Sequence, residues 1–224
     1  MKDNAVVLFT RIPVPGKTKT RLQPLLTGEE CCALHRALLR DIFNALNVKD
    51  AAYDILVYYV PEGDLTELAK LLPDDCEFIP QRGVGIGERM HNAVAETFAR
   101  GYRRCLVVGS DIPLLDSRIV IEAFNLLSNN DMVLNPTEDG GYYLIGFTEP
   151  CDKVFDIEGY GTSTVFEKTV SAVEEAGKTC AIGTRLLDID EPDDLHRLAE
   201  LLKQDDPDIC PETRKALKEL RNLQ

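Results

Sequence analysis

Four cationic side chains lie within eleven residues directly after the first apolar segment of the chain, at Arg11, Lys17, Lys19 and Arg21. No acidic residue interrupts them, two prolines stiffen the loop, and Gly16 provides a hinge. Guanidinium and ammonium groups donate hydrogen bonds to phosphate oxygens, so a loop of this kind can hold several phosphate groups. The sequence therefore predicts a polyphosphate site here, with a solvated basic loop as the alternative. It is not a Walker A loop, because Arg11 stands where that motif has its first glycine.

Acidic side chains follow several of the later apolar segments. Asp111 comes directly after one of them, Asp139 precedes two glycines, and Asp188 and Asp190 would share one face of an extended segment. Hard divalent cations prefer carboxylate oxygens, and a bound cation can bridge carboxylates to phosphate oxygens. Convergence of two to four of these carboxylates opposite the basic loop would create a site for a metal ion and a polyphosphate together. The structural alternatives are an Asx turn at Asp111 and a hairpin turn at Asp139.

A third candidate is the glycine-rich segment Gly85-Ile-Gly87-Glu-Arg89-Met-His-Asn92, which precedes and enters a predicted helix. Its glycines lack the spacing of the dinucleotide fingerprint, which argues against NAD as a ligand. Glycines before a helix still let the backbone approach a base or a ribose closely. We therefore expect nucleotide contacts from Gly85, Gly87, Arg89 and Asn92, with a flexible surface loop as the alternative.

Short apolar segments alternate along the chain with amphipathic ones, which predicts an α/β domain with a mostly parallel, mixed sheet. Ligands bind such sheets at the carboxyl ends of the strands, where the candidate residues lie. The predicted strands are Ala5 to Thr10, Asp54 to Val60, Cys76 to Pro80, Arg104 to Gly109, Asp131 to Asn135, Tyr142 to Phe147 and Thr179 to Ile182. A capping box at Thr27 opens the first predicted helix, whose apolar face includes Leu34, Leu38, Ile42 and Leu46. We expect one domain over residues 1–203, with an acidic linker and a C-terminal helix packed on it over residues 204–224.

Composition excludes several classes of partner. The chain has 224 residues and a formal net charge of -13, which argues against nucleic acids and anionic membrane surfaces. It has no apolar run long enough to span a membrane and no signal-peptide pattern. Its seven cysteines form no CxxC pair, as expected for reduced thiols in the cytoplasm. We expect a cytoplasmic protein with small-molecule ligands, for which a homodimer is one possible assembly.

The candidate segments together resemble a known family. The segments that carry the resemblance are PVPGKTKTRL, GIGERMHNA, GSDIPLL, DGGYYLIG and DIDEPDDL, in that order along the chain. They are similar to the bacterial glycosyltransferase-A-like family of uncharacterised proteins, the nucleotide-diphospho-sugar transferase type, which is related to phospholactate guanylyltransferase and molybdenum-cofactor guanylyltransferase. Five motifs in family order are far more specific than any one of them.

The resemblance implies a GT-A-type, Rossmann-like three-layer sandwich that depends on Mg²⁺ or Mn²⁺. In the family pattern, Asp111 stands at the position of the metal-binding aspartate, and Asp190 looks like the second carboxylate ligand. Lys17, Lys19 and Arg21 match the phosphate-binding loop. Two positions depart from the pattern: Tyr160 begins a Tyr-Gly-Thr run where Trp-Ser-Thr is frequent, and Glu191 replaces a threonine, so the acceptor chemistry carries over poorly.

These observations predict a metal-dependent transferase that binds a nucleotide-diphospho-sugar and transfers its glycosyl group to an unknown small-molecule acceptor. Asp139 would position or deprotonate the acceptor hydroxyl, and Asp188 or Asp139 could join the metal ligands Asp111 and Asp190. The alternative within enzymes is a guanylyltransferase-like nucleotidyltransferase, which releases pyrophosphate from a nucleoside triphosphate. An alternative of another class is a nucleotide-binding domain without catalytic activity.

Overall fold

The apolar segments of the chain become the strands of one sheet in the computed structural model, which describes residues 2–204 and 206–220. Seven strands are assigned within these ranges: β1 Asn4–Arg11, β2 Tyr53–Val60, β3 Glu77–Pro80, β4 Arg104–Gly109, β5 Met132–Pro136, β6 Tyr142–Phe147 and β7 Cys180–Ile182. The α-helices of the same ranges are α1 Gly28–Leu46, α2 Leu65–Ala69, α3 Ile86–Ala99, α4 Ser117–Leu126, α5 Val165–Glu175, α6 Pro192–Gln204 and α7 Pro211–Glu219. Two short 3₁₀ helices, Thr20–Leu22 and Asp152–Phe155, were not predicted from the sequence.

The strand order is β3-β2-β1-β4-β6-β5-β7. Strand β6 pairs antiparallel with both β4 and β5, whereas the other strand pairs are parallel. The predicted mixed, mostly parallel sheet is therefore confirmed, and β5 and β6 form the hairpin that the sequence left open. Chain order reverses on the two sides of β1 and β4, which makes their carboxyl ends the switch point where ligands bind such sheets.

Helices cover both faces of the sheet because both faces are apolar, as the central strand β1 illustrates. Its residues Ala5 to Phe9 are all buried, as the continuous apolar run of a central parallel strand requires. Because successive side chains point to opposite faces, Val6 and Leu8 pack with α1 and α4, while Val7 and Phe9 pack in the cluster that contains α3 and α5 residues. The core is thus divided into two layers by the sheet.

Helix α1 begins as its sequence predicts. The Thr27 hydroxyl accepts a hydrogen bond from the Glu30 backbone N–H, and the Glu30 carboxylate accepts one from the Thr27 backbone N–H at 2.8 Å. This reciprocal pair satisfies donors that the first turn of a helix leaves unpaired. The four leucine and isoleucine positions of the predicted apolar face are fully buried. The capping box therefore fixes the start of α1 at Gly28, after the basic loop and the 3₁₀ helix Thr20–Leu22.

Helix α7 is attached to α1 by a buried carboxylate. Asp41 of α1 is 5% exposed, and its two oxygens accept hydrogen bonds from the backbone N–H groups of Glu212 and Thr213, at 3.1 and 2.7 Å. These donors lie in the first turn of α7, where a negative charge also interacts favourably with the helix dipole. A third apolar cluster joins α1, α6, α7 and the segment before α6. The helix predicted over Pro211 to Leu223 ends at Glu219, where Leu220 is extended, and the predicted residues after Leu220 lie outside the described residues.

A buried histidine links α1 to the end of β1. His35 is 2% exposed, and its Nε2 donates to the Arg11 carbonyl at 3.1 Å and lies 3.4 Å from the Thr10 hydroxyl. Its Nδ1 has no hydrogen-bond partner among the described residues. Burial disfavours the imidazolium and lowers the pKa of His35 to about 4.

No helix in the described ranges combines the length and the apolar character needed to cross a membrane. Each of the seven cysteines is a free thiol, and five of them are buried. Thiols buried in apolar surroundings pack as small hydrophobic side chains.

The first prediction concerns Asp41. Replacement by alanine leaves two backbone donors of α7 without their partner and should lower the free energy of unfolding by about 2 kcal/mol. Urea unfolding of the two proteins measures this difference. Arg40→Ala is the matched control, because it removes only a 4.0 Å ion pair with Glu212 between partly exposed side chains and should cost less than about 0.5 kcal/mol. Equal stability of Asp41→Ala and the parent protein would contradict the capping role.

The second prediction concerns the pH dependence of stability. The unfolded chain binds a proton at His35 near its usual pKa of about 6.5, whereas the folded chain does so only near pH 4. The stability contributed by a neutral His35 is therefore lost as the pH falls from about 6.5 towards 4. Between pH 7 and pH 5 the loss should reach about 2 kcal/mol.

Urea unfolding at both pH values should show a shallower loss for His35→Gln than for the parent protein. His196→Gln serves as the control, since it removes a histidine from an exposed position on α6. The same pH slope in His35→Gln and the parent would show that His35 does not drive the effect.

Candidate active site

The basic loop after β1 is folded back on itself. The Thr18 hydroxyl, which is fully buried, accepts a hydrogen bond from the Val14 backbone N–H at 2.9 Å. The Arg11 guanidinium donates to the Lys17 carbonyl at 2.7 Å, which closes the loop from the side of the strand. Gly16, which is predicted to be a hinge, has a left-handed backbone conformation with φ 78°. Internal hydrogen bonds therefore fix the conformation of the loop.

Lys19 points away from solvent and into a pair of carboxylates. Its ammonium lies 2.8 Å from Asp111 Oδ1 and 3.9 Å from Asp190 Oδ1, and it donates to the Ile189 carbonyl at 2.5 Å. The Lys19 side chain is only 4% exposed, whereas those of the two aspartates are about 40% exposed. Its backbone is left-handed, with φ 49° and ψ 47°, a conformation that costs a non-glycine residue free energy. The ion contacts hold Lys19 in this conformation.

Backbone pairing brings the two aspartates together from distant parts of the chain. Asp111 follows β4 and accepts a hydrogen bond at its carbonyl from the Ile189 N–H at 3.1 Å. Ile189 is fully buried in the third apolar cluster, so the residue after it, Asp190, is fixed at the same edge. Arg21 lies 3.4 Å from Asp190 on the solvent side. The basic loop, the β4 end and the segment before α6 thus meet at the switch point of the sheet.

The carboxylates differ in protonation. Desolvation opposes ionisation of Asp111, but the Lys19 ammonium, together with His35 and Arg11, outweighs it and holds the pKa of Asp111 below its usual value. Burial and then the Asp111 charge raise the pKa of Asp190. Burial and then the Asp139 charge raise the pKa of Asp188 to about 7. Near neutral pH, Asp111 is therefore ionised, whereas Asp188 is protonated in an appreciable fraction of the molecules.

A divalent cation fits the donor chemistry of Asp111 and Asp190. Both present carboxylate oxygens towards one cationic group, the Lys19 ammonium, which shows that a positive charge can lie between them. Hard cations such as Mg²⁺ commonly take one or two protein carboxylates and complete their shell with water and substrate phosphate oxygens. Within the described ranges, no cluster of three or more Asp, Glu, His or Cys side chains forms a preassembled metal site.

The first cavity at this edge has a volume of about 540 Å³. Four cationic side chains reach it, from Arg11, Lys19, Arg21 and Arg89, together with the carboxylates of Asp111 and Asp190. Its remaining walls include Phe9, Thr10, Thr18, Thr20, His35, Val60, Gln81, Ile86, Ser110 and Tyr160. A cavity of this size, with apolar walls and convergent cations, suits a nucleotide with several phosphates.

The second cavity adjoins the first and has a volume of about 320 Å³. All four predicted carboxylates line it: Asp111, Asp139, Asp188 and Asp190. Phe9, Ile86 and Tyr160 belong to the walls of both cavities, so the two are parts of one cleft. The cleft therefore has a cationic half and an anionic half.

Asp139 has a structural contact in addition to its place in the second cavity. Its Oδ1 accepts hydrogen bonds from the Thr137 hydroxyl at 2.5 Å and from the Gly141 N–H at 2.9 Å. These contacts belong to the turn of the β5–β6 hairpin, and a hairpin turn is the structural alternative predicted for Asp139. Gly140, with φ 92°, allows the turn to approach Ser163 so closely that a Cβ would lie 2.1 Å from the Ser163 carbonyl oxygen.

The glycine-rich segment divides between the cavity and the protein interior. Arg89 lines the first cavity and donates from Nε to the Gly83 carbonyl at 3.1 Å. Gly85 is the N-cap of α3 and lines neither cavity, and Asn92 binds the Arg82 carbonyl at 2.9 Å. Gly87 is buried against Phe155 and Tyr160, where a Cβ would lie 2.6 Å from the Phe155 carbonyl oxygen. Gly87 and Asn92 thus have packing and loop-bracing contacts within the protein, and their ligand contacts stay a prediction.

Two residues of the basic loop also lie outside the cleft. Gly16 and Lys17 are exposed and line neither cavity, whereas Arg11, Lys19 and Arg21 do. Conversely, Gln81 lines the first cavity without having been predicted; its amide donates to the Thr10 and Tyr58 carbonyls at 3.2 and 3.0 Å. Its position directly after β3, at a strand end, is the sequence feature that could have identified it as a site residue. Tyr160 was noted only as a departure from the family pattern.

The comparisons with known proteins agree with this architecture. A family model described as "Uncharacterized protein conserved in bacteria (DUF2064)" matches residues 49–162, about half of the chain. A 2-phospho-L-lactate guanylyltransferase from Methanospirillum hungatei is 32% identical over 194 residues, covering 83% of this chain and 79% of that protein.

Solved structures also match. One crystal structure is of a protein from Desulfovibrio desulfuricans G20 that is named as a nucleotide-diphospho-sugar transferase. It is 33% identical in sequence to this chain and superposes with a TM-score of 0.90, over 100% of this chain and 97% of that chain. The Rv0371C protein from Mycobacterium tuberculosis, solved in complex with manganese, shares the fold alone, at 15% identity and a TM-score of 0.52 over 89% of this chain and 99% of that chain. The resemblance inferred from the motifs is confirmed: the chain belongs to the DUF2064 family of bacterial proteins, among relatives named as guanylyltransferases and nucleotide-diphospho-sugar transferases.

Proposed function

We propose that this protein is a metal-dependent nucleotidyltransferase, which transfers a nucleotidyl group from a nucleoside triphosphate to a small-molecule acceptor and releases pyrophosphate. The observation that carries the proposal is the cationic half of the cleft, where four Lys and Arg side chains reach one cavity at the switch point of the sheet. That density of positive charge suits a triphosphate. The guanylyltransferase name of a relative 32% identical in sequence supports the same reaction. Glycosyl transfer from a nucleotide sugar, the first expectation from the sequence, has less support.

The reaction follows from the two halves of the cleft. The triphosphate binds in the first cavity, where Arg11, Arg21 and Arg89 hold phosphate oxygens. An acceptor oxygen in the second cavity attacks the α-phosphorus, the bond from that phosphorus to the β-phosphate oxygen breaks, and pyrophosphate leaves with the bonding electrons. Asp139, whose Oδ1 is already fixed by two hydrogen bonds, orients the acceptor hydroxyl. The proton of that hydroxyl passes to the Asp139 carboxylate.

Asp111 and Asp190 would hold a Mg²⁺ or Mn²⁺ ion. When bound, the ion neutralises part of the phosphate charge that develops on the leaving group. Without the ion, Lys19 neutralises the same two carboxylates; with the ion in place, its ammonium would be available to the phosphates. The role of this chain's own residues is thus to bind, orient and balance charge, as is usual for phosphoryl-group chemistry.

The third prediction tests the metal-binding carboxylate. Asp111→Asn keeps the shape of the side chain but removes its charge, so Mn²⁺-dependent binding of the triphosphate should be lost and pyrophosphate release should fall at least about 100-fold. Calorimetric titration with the four nucleoside triphosphates, with and without Mn²⁺, measures the binding. Asp193→Asn is the control, because this exposed residue in the first turn of α6 lines neither cavity.

Unchanged triphosphate affinity in Asp111→Asn would sink the assignment of that residue. Release of a nucleoside diphosphate from nucleotide sugars, with no pyrophosphate from any triphosphate, would identify a glycosyltransferase instead. Tight nucleotide binding with no turnover of either donor would indicate a binding domain without catalytic activity.

The fourth prediction concerns Lys19. Replacement by methionine removes the ammonium that lies between the two carboxylates, so the affinity for Mn²⁺ without nucleotide should rise several-fold. The affinity for the triphosphate should fall, because one phosphate partner is lost. Electron paramagnetic resonance of free Mn²⁺ measures the first effect, and Lys17→Met, at an exposed position outside both cavities, is the matched control. Weaker Mn²⁺ binding in Lys19→Met would show that the lysine supports the ion rather than competing with it.

A further inference from the structure

One polar side chain in the wall of the first cavity has no role in the fold or in the reaction described above. Ser110 lines this cavity and is only 4% exposed. Its hydroxyl has no hydrogen-bond partner within residues 2–204 and 206–220. Removing a hydroxyl from bulk water without giving it a partner costs free energy. Such a group in a native protein therefore calls for an explanation.

The other hydroxyl groups of the same cavity are accounted for. The Thr10 hydroxyl lies 3.4 Å from a histidine ring nitrogen, and the Thr18 hydroxyl accepts a hydrogen bond from a backbone N–H at 2.9 Å. The Tyr160 hydroxyl donates to a backbone carbonyl at 3.4 Å, and Thr20 is exposed to solvent. Among the described residues that line this cavity, Ser110 is therefore the one with a buried side-chain hydroxyl left for a ligand.

Ser110 lies beside the groups that would hold the phosphates. It follows β4, whose last residue, Gly109, pairs with Phe9 of β1 at the switch point of the sheet. The next residue, Asp111, is 2.8 Å from the Lys19 ammonium, and neighbouring Cα atoms are about 3.8 Å apart. Asp111 lines both cavities, whereas Ser110 lines only the first. The serine is therefore next to the metal-binding carboxylate but belongs to the nucleotide half of the cleft.

We propose that the Ser110 hydroxyl donates a hydrogen bond to a phosphate oxygen of the bound triphosphate. An ionised carboxylate only accepts hydrogen bonds, so Asp111 needs a cation between itself and a phosphate, whereas a hydroxyl can bind the phosphate directly. A hydrogen bond to a charged oxygen is also stronger than one between neutral groups. This inference rests on the proposed binding of a nucleoside triphosphate in the first cavity.

The test uses the full chain and two ligands, each titrated calorimetrically in the presence of Mg²⁺. One ligand is whichever nucleoside triphosphate binds tightest, and the other is inorganic tripolyphosphate, which has the phosphates but neither base nor ribose. Ser110→Ala should lower the affinity for both ligands at least about tenfold, because a hydrogen bond to a charged group is lost. Ser128→Ala, at an exposed position that lines neither cavity, is the matched control and should leave both affinities unchanged.

Two further measurements separate a phosphate contact from other roles of Ser110. Without ligand, the melting temperature of Ser110→Ala should equal or exceed that of the parent protein, because the variant loses a buried polar group that has no partner. At a fixed tripolyphosphate concentration, the ligand should raise the melting temperature less in the variant than in the parent. The affinity for Mn²⁺ without nucleotide, measured by electron paramagnetic resonance, should be the same in both.

Four results would overturn the inference while the proposed function stands. Equal affinities of Ser110→Ala and the parent for both ligands would show that the hydroxyl does not touch the nucleotide. Weaker binding of the nucleoside triphosphate alone, or no binding of tripolyphosphate to the parent, would place the contact on the nucleoside. Weaker Mn²⁺ binding would make Ser110 a metal ligand, and a lower melting temperature without ligand would assign its hydroxyl to the fold.

Failure of the proposed function gives a different pattern. In that case no nucleoside triphosphate binds the parent protein in the presence of metal. The difference in tripolyphosphate affinity between Ser110→Ala and the parent would then still decide whether Ser110 binds phosphate.

Discussion

The ion contacts of Lys19 with Asp111 and Asp190 are the constraint on which the rest of the site depends. They join three segments that are far apart in the sequence: the loop after β1, the end of β4 and the strand-like segment before α6. Each segment is held by its own packing, and the ammonium balances the two negative charges that this packing forces together. A buried charge without such a partner would be costly, so the arrangement requires both signs at once. The strained backbone of Lys19 follows from the same requirement.

Much of the fold could be predicted from local patterns. The apolar run of β1 and the capping box of α1 need only a few neighbouring residues to be recognised, and both are confirmed. A strand end also indicated where Asp111 lies, because parallel strands present their carboxyl ends at one edge. Asp190 lies in the segment before α6 and reaches that edge through the hydrogen bond of Ile189 to the Asp111 carbonyl. The antiparallel course of β6 could be predicted only as one option, since a Gly-Gly turn fits a hairpin and a longer connection equally well.

The remaining features depend on contacts that no local pattern contains. Gly87 looked like a residue that lets a ligand approach, but the close neighbour that excludes a side chain is the protein's own Phe155 and Tyr160. Asp139 looked like an acid facing the cleft, and half of its carboxylate is used by its own turn. The same residue types serve a ligand or the fold, and only the distances between distant segments decide which. The charges that line each half of the cleft also depend on which distant segments the fold brings together.

Side chains that line both cavities would couple the binding of a ligand in one to the binding of a ligand in the other. Phe9, Ile86 and Tyr160 contribute surface to each side, so a ligand in one half would contact side chains that also line the other half. By linkage, the free energy by which the first ligand changes the binding of the second is the same when the ligands bind in the reverse order. An affinity measured for one ligand alone is then not the affinity that operates in the working complex. Under the proposed reaction, the affinities of the nucleotide and of the acceptor would therefore depend on each other.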